Sequence, residues 1–336
     1  MSAVTAPQIL SVGLSLNART QPVIDGLVQP REVAFMVSPL PVGEMFWRQL
    51  KFGDFDVSEM SLSSLAIATA RGTTEWVALP IFTMRSFFHT GVLIRTGAGI
   101  TSPADLRGKR LGVLEYQQTS VVWIRGWLEH DYGIRARDME WFMQRSPATS
   151  HGGSTGFRPP EGVRLSYVPP EKNIGAMIVA GELDALPFYP PVSKDLVDRS
   201  SVDLSSASNV VPLFPDAAAE ARRYHAQTKI FPVNHGVVVR RALVERRPEI
   251  ARDIFDCFVR ANAYAAQRRR SLLAPAAEVG LVDDALAAEL ATDPLAYGVK
   301  ANRPTLDALL DYIYEQGLSA RRVAIEELFA ASVLDL

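Results

Sequence analysis

At 336 residues the chain is long for a single hydrophobic core and sufficient for two lobes. Its 48% apolar and 21% charged residues have the balance of a folded protein, and a net charge of −2 gives no electrostatic basis for a nucleic-acid or membrane partner. A single cysteine, Cys257, excludes a disulfide and a thiolate metal cluster, and the absence of an apolar run of about eighteen residues excludes a spanning helix.

The opening MSAVTAPQILSVGLSLN has neither the basic start nor the unbroken apolar stretch of a secretory signal, so a cytoplasmic protein is expected. Ile9 to Leu14 reads as a strand, Val23 to Leu27 as a helix entered through Pro22, and Glu32 to Val37 as a second strand. A helix from Val42 to Lys51 stops at Gly53. Within Phe52 to Arg95, β-branched runs at Val57, Trp76 to Leu79 and Gly91 to Ile94 read as strands with polar residues at their ends. Glu59, Ser61, Ser63 and Ser64 follow the first run as a strand tip and a helix start. Arg85 and His89 lie four apart before the last, on one face of an extended chain. Strand and helix alternate throughout, which predicts a parallel α/β sheet with ligands outside its carboxyl edge.

Thr96 to Gly99 reads as a linker, and Ser102 to Leu106 as a capped turn. Lys109 to Leu114 is a strand leading through Glu115 and Tyr116 to a helix from Thr119 to Tyr132, stopped by Gly133. This repeats the strand, acidic residue and helix start seen at Glu59. Trp123 and Trp127 fall at helical spacing and read as core. Trp141 to Met143 is a further strand, and Ser146 to Gly162, rich in Ser, Gly and Pro, reads as a surface loop. Val163 to Val168 is a strand, Asn173 to Ala180 a helix, and GELDAL a turn into a strand with Asp184 in the turn. Pro187, Tyr189, Pro190 and Pro191 then break the chain near a lobe boundary. Phe214 to His225 contains a helix, and Val237 to Val239 is a strand with Asn234 and His235 at its start. Helices are expected at Pro248 to Gln267, ending near the basic Arg268 to Arg270, and at Asp283 to Ala291, Pro304 to Gln316 and Arg321 to Ala331. Cys257 sits among apolar positions as a buried, inert thiol.

The segments GDFDVSEMSLSS, LPIFTMRSFFHTG, LRGKRLGVLEYQQTSVVWIRGWLEHDYGI, GELDAL, LFPDAAAEARRYHAQTKIFPVNHGVVVRR, DPLAYGVKANRPTLDALLDYIYEQGL and RRVAIEELF together resemble the 4,5-dihydroxyphthalate decarboxylase family. The resemblance runs in order from about Leu10 to Phe329. It implies a two-lobed type II periplasmic binding protein-like α/β fold with C-terminal helices. The expected lobes are residues 1–96 with 210–336, and 97–209. It also implies a decarboxylase that acts on a small aromatic carboxylate in the interlobe cleft without an organic cofactor. Where the family pattern reads Ser-Arg-x-Phe-Arg-His-Ser, this chain has Met84-Arg85-Ser86-Phe87-Phe88-His89-Thr90, so Phe88 replaces a cation and a related aromatic acid is a candidate substrate.

The reaction needs an acid for the carbon that loses CO₂, an acceptor for a phenol proton and positive charge for a retained carboxylate. In this context His89 and His235 are the candidate acids, Glu59 and Glu115 the candidate acceptors or orienting groups, and Arg85 the carboxylate clamp. Ser61, Ser63 and Thr119 are candidate substrate contacts that would serve equally as helix caps, and Tyr116 and Tyr189 candidate ring contacts that would serve equally in packing. His130, His151 and His225 read as surface residues. Two histidines and two glutamates could hold a divalent metal, but the close pairings of a dedicated site are missing, so no metal is expected. The same fold also serves solute-binding proteins for organic anions of the nitrate and taurine importers, the alternative reading. A homo-oligomer is compatible with the sequence.

Overall fold

Strand and helix alternate because the apolar runs alternate in period. The computed structural model describes residues 7–190, 196–291 and 296–336, so Pro191 and the first six residues lie outside the description. In chain order β1 (Gln8–Leu14), α1 (Gln21–Ile24), β2 (Val33–Pro39), α2 (Val42–Phe52), β3 (Val57–Ser61), α3 (Leu62–Arg71) and β4 (Trp76–Arg85) come first. They are followed by β5 (Leu93–Arg95), β6 (Arg110–Val113), α4 (Thr119–Tyr132), β7 (Glu140–Met143), α5 (His151–Thr155), β8 (Arg164–Tyr167), α6 (Ile174–Val179), β9 (Ala185–Leu186) and β10 (Val210–Pro212). The chain closes with α7 (Ala217–Thr228), β11 (Val233–Arg240), α8 (Arg241–Arg246), α9 (Pro248–Glu278), α10 (Asp284–Ala291), α11 (Val299–Glu315) and α12 (Ile325–Leu328).

Two sheets result, ordered β2-β1-β3-β11-β4 and β10-β5-β9-β6-β7-β8. The first is not purely parallel as expected: β11 enters antiparallel between β3 and β4. It can do so because it returns from the second sheet rather than from a neighbouring crossover helix. The strand read at Gly91 to Ile94 is a 3₁₀ turn over Phe88–Gly91 followed by β5, which pairs with β9 and β10 in the second sheet. The chain has thus crossed between sheets before Thr96.

Helix ends follow local chemistry: α2 and α4 stop at Gly53 and Gly133, whose φ of 64° is left-handed in both cases. Tertiary packing overrides it elsewhere. The helix expected to end at Gln267 continues through Arg268–Arg270 and past Pro275 to Glu278, so the basic run lies inside α9 and not at its end. Conversely, the helix expected over Arg321 to Ala331 is reduced to α12. Cys257 is fully buried beside Ile254 and Phe258, and burial pushes its thiol up to about 12, as expected of an inert core cysteine. No helix among the described residues is long and apolar enough to cross a membrane.

Candidate active site

The N-terminal ends of α3 and α4, one from each sheet, meet across the cleft. Ser61 and Thr119 were read as possible caps, yet neither start has a side-chain cap bond. Their hydroxyls instead bond each other at 2.9 Å, and the Ser63 amide donates to Thr119 Oγ1 at 3.0 Å. Ser63 Oγ donates to the Gln117 carbonyl at 2.5 Å, so it can only accept from its other neighbours. The Ser61 and Thr119 hydroxyls therefore carry the donors of this cluster, and both line a cavity of about 370 Å³, within the range of roughly 300–1,000 Å³ usual for small-molecule sites.

His235 enters the cavity from β11, opposite Ser61 of β3 and Met84 of β4. Adjacent residues of a regular strand point to opposite faces, but Asn234 and His235 both line the cavity. Irregular pairing with β4 on both sides of His235 makes this possible. Gly236 also brings the strand close to α3: a Cβ there would stand 2.8 Å from Leu62 Cδ2. Asn234 Nδ2 lies 3.0 Å from His235 Nε2, which makes Nε2 the acceptor and leaves the ring proton on Nδ1. Nδ1 faces Glu59 Oε2 at 3.6 Å. Glu59 is fully buried and accepts from the Ser15 amide (2.7 Å), Ser15 Oγ (2.8 Å) and Thr83 Oγ1 (2.5 Å). These donors hold the carboxylate behind His235, beyond hydrogen-bond distance of Nδ1 and outside the cavity lining.

A second histidine completes the site. His151 was read as a surface residue in a loop, but it begins α5, is 2% exposed and lines the cavity. The loop is folded inward by Glu115, which accepts from Ser150 Oγ at 2.8 Å and the His151 amide at 3.1 Å. Burial raises the Glu115 carboxyl, opposed by the Arg145 charge and these hydrogen bonds. Arg145 Nη1 donates to His151 Nε2 at 2.8 Å. Burial and then the Arg145 charge hold His151 well below its ordinary value, so it is neutral. Phe46 of α2 sets its ring edge against both histidines, at centroid distances of 5.5 Å to His151 and 4.7 Å to His235. Trp47 Nε1 donates to the Ala148 carbonyl at 2.9 Å, fastening α2 to the same loop. A Ser/Gly-rich composition hid this segment; the buried Ser150 cap on Gly152 was its readable helix signal.

The remaining candidates lie elsewhere. His89 is buried against Trp127 (4.9 Å) and Tyr224 (4.7 Å), with Nε2 3.2 Å from Glu220, and does not line the cavity. Burial lowers it to about 4, a neutral packing histidine. Arg85 donates to Asn302 Oδ1 at 2.7 Å and the Phe231 carbonyl at 2.6 Å, tying β4 to α11. Tyr116 is buried under the Arg125 guanidinium, 4.0 Å from its ring centre. Tyr189 donates to the Val202 carbonyl at 2.8 Å, and its neighbours Phe188 and Pro190 face the cavity instead. Phe88 is also buried, edge-on to Phe188, in a layer behind the cavity wall. His130 and His225 are exposed, as expected. Among the described residues no group of three or more His, Cys, Asp or Glu side chains is placed to hold a metal ion.

No protein-family model matches the chain. A 4,5-dihydroxyphthalate decarboxylase of Comamonas testosteroni is 32% identical over 329 residues, 97% of each chain. One of Pseudomonas putida is 38% identical over 177 residues, 53% of this chain and 69% of that one. In fold the chain is similar to the alkanesulfonate-binding protein SsuA of Xanthomonas axonopodis pv. citri (TM-score 0.57, 15% identity, 98% and 99% of the two chains). It is also similar to the periplasmic aliphatic sulphonate binding protein SsuA of Escherichia coli (0.55, 16%, 96% and 92%) and the desulfurization enzyme DSZB (0.52, 15%, 98% of each). With two sheets, a chain that crosses between them and a cleft at their facing helix ends, the protein has the periplasmic-binding-protein-like fold and belongs to the 4,5-dihydroxyphthalate decarboxylase family.

Proposed function

We propose that the protein decarboxylates a hydroxylated aromatic acid resembling 4,5-dihydroxyphthalate, releasing CO₂ and a protocatechuate-like catechol. The observation that carries this reading is His235, backed by Glu59 and opening on a cavity bounded by Ser61, Thr119 and apolar walls. A phenol para to the carboxylate that leaves supplies the electrons. Loss of its proton and protonation of the carbon bearing the carboxylate give a cyclohexadienone. Cleavage of the carbon–carboxylate bond releases CO₂, returns the electron pair to the ring, and the phenolate regains a proton. One proton thus replaces one CO₂, and no electron sink from an organic cofactor is required.

His235 is the proton donor to carbon in this scheme in its imidazolium form: substrate takes the place of Asn234 Nδ2 at the cavity-facing Nε2, which then carries the proton, while Nδ1 stays against Glu59. Glu59 stabilises the imidazolium by its charge. Neutral His151, on the far side of Phe46, commits its acceptor nitrogen to Arg145 Nη1 and so positions the guanidinium, while the phenol proton passes to solvent. Ser61 and Thr119, at two helix starts, place hydroxyl donors where negative charge must be held.

Purified protein incubated with 4,5-dihydroxyphthalate should yield the catechol and stoichiometric CO₂, and in D₂O the product should carry deuterium at the vacated carbon. Tight binding of such acids without turnover of any would refute the enzyme and leave an organic-anion-binding protein.

A further inference from the structure

Arg145 is the only Lys or Arg among the described residues that line the cavity. Its Nε and Nη2 donate in a fork to Asp198 at 2.8 and 2.7 Å, and its Nη1 is fixed by His151. Both side chains of the ion pair are under a tenth exposed, and Asp198 lines the cavity as well. A planar guanidinium bound at two nitrogens by one carboxylate is the geometry in which an aromatic carboxylate would be held.

We propose that Asp198 stands in for the carboxylate that stays on the substrate ring, and that binding exchanges one carboxylate for the other on Arg145; the proposal rests on the decarboxylase reading for the identity of that carboxylate. Two carboxylates side by side in a buried site with one cation repel each other, and a second carboxylate buried without its own cation is costly. Exchange avoids both, since Arg145 stays neutralised before and after. His151 accepts from Nη1, on the edge Asp198 does not use, so the guanidinium keeps its orientation during the exchange. Asp198 also has a short way to water: Leu196, two residues earlier, is 71% exposed, and residues 196–203 contain neither helix nor strand. The cavity therefore selects an acid with a carboxylate beyond the one it loses, although Phe88 stands where the family pattern has a cation.

Calorimetric titration with 3,4-dihydroxybenzoate and with catechol, neither of which has a second carboxylate to lose, reads binding apart from turnover. Asp198→Asn should tighten 3,4-dihydroxybenzoate about tenfold and leave catechol within twofold, while Arg145→Gln should weaken only the acid. Equal or weaker binding of the acid by a folded Asp198→Asn protein overturns the exchange. Should that variant not fold, hydrogen exchange in the wild type decides: amides of residues 196–203 should exchange faster with 3,4-dihydroxybenzoate than with catechol, and no difference between the two overturns the proposal. Decarboxylation of 4,5-dihydroxyphthalate by the wild type is scored separately, so the exchange can fail while the enzyme reading stands, and the reverse.

Discussion

His89 and His235 are nearly equivalent by the usual measures. They are 3% and 5% exposed, and each faces a glutamate, at 3.2 and 3.6 Å. Their surroundings separate them. Aromatic rings close around His89, whereas His235 has Phe46 on one edge and the cavity on the other. A carboxylate partner and deep burial are thus shared by a packing histidine and a candidate acid, and only contact with ligand space distinguishes the two.

Substitution of His235 breaks the comparison most directly. His235→Gln should lower kcat by roughly 10²–10⁴-fold with the circular dichroism spectrum unchanged, the range for a general acid; a folded variant within tenfold of wild type would return His235 to the structural class. His89 should show the opposite pattern, in stability. Its folded value of about 4 lies below the ordinary 6.5, so the unfolded chain binds the proton more readily. This contribution is complete above about pH 6.5 and declines toward pH 4, by roughly 3 kcal/mol for a group this buried. Urea midpoints at pH 7 and pH 4.5 should therefore differ less in His89→Phe than in the wild type, with kcat at pH 7 changed less than threefold. Ser61→Ala sharpens the picture at the helix starts: kcat/KM should fall about tenfold, as expected for one hydrogen bond to a charged group, and steady-state kinetics on a refolding-competent variant would show it. The smallest effect is expected at Tyr189→Phe, which loses the bond to Val202 and about 1 kcal/mol in denaturant titration, with kcat within twofold.

The site was legible only in part, and the unread parts share a cause. Ser61 and His235 were readable because each stands at a strand end, where topology alone predicts a ligand edge, whereas Glu59, expected at a strand tip, lies in the middle of β3. Arg85 and His89 satisfied the same spacing rule, but β4 runs on to Arg85 and a 3₁₀ turn follows, so the predicted extended face does not exist. Arg145 and His151 could not be found from spacing, since the first follows a short strand and the second sits in a segment whose composition resembles a loop. A buried glutamate, Glu115, folds that segment into the cleft, and its partners Ser150 and His151 lie 35 and 36 residues further along the chain.

The sequence by itself determined the alternation of strands and helices, the glycine stops of α2 and α4, the inert burial of Cys257 and the family. These depend on local periodicity, on backbone conformations open to glycine, and on segments kept in order along the chain. Tertiary structure alone decided which polar residues share one cavity, because that depends on β11 returning between β3 and β4 and on α5 folding inward, contacts between residues far apart in sequence. The same sequence signals mark His89 and His235, and it is packing that encloses one in aromatic rings and opens the other to a ligand.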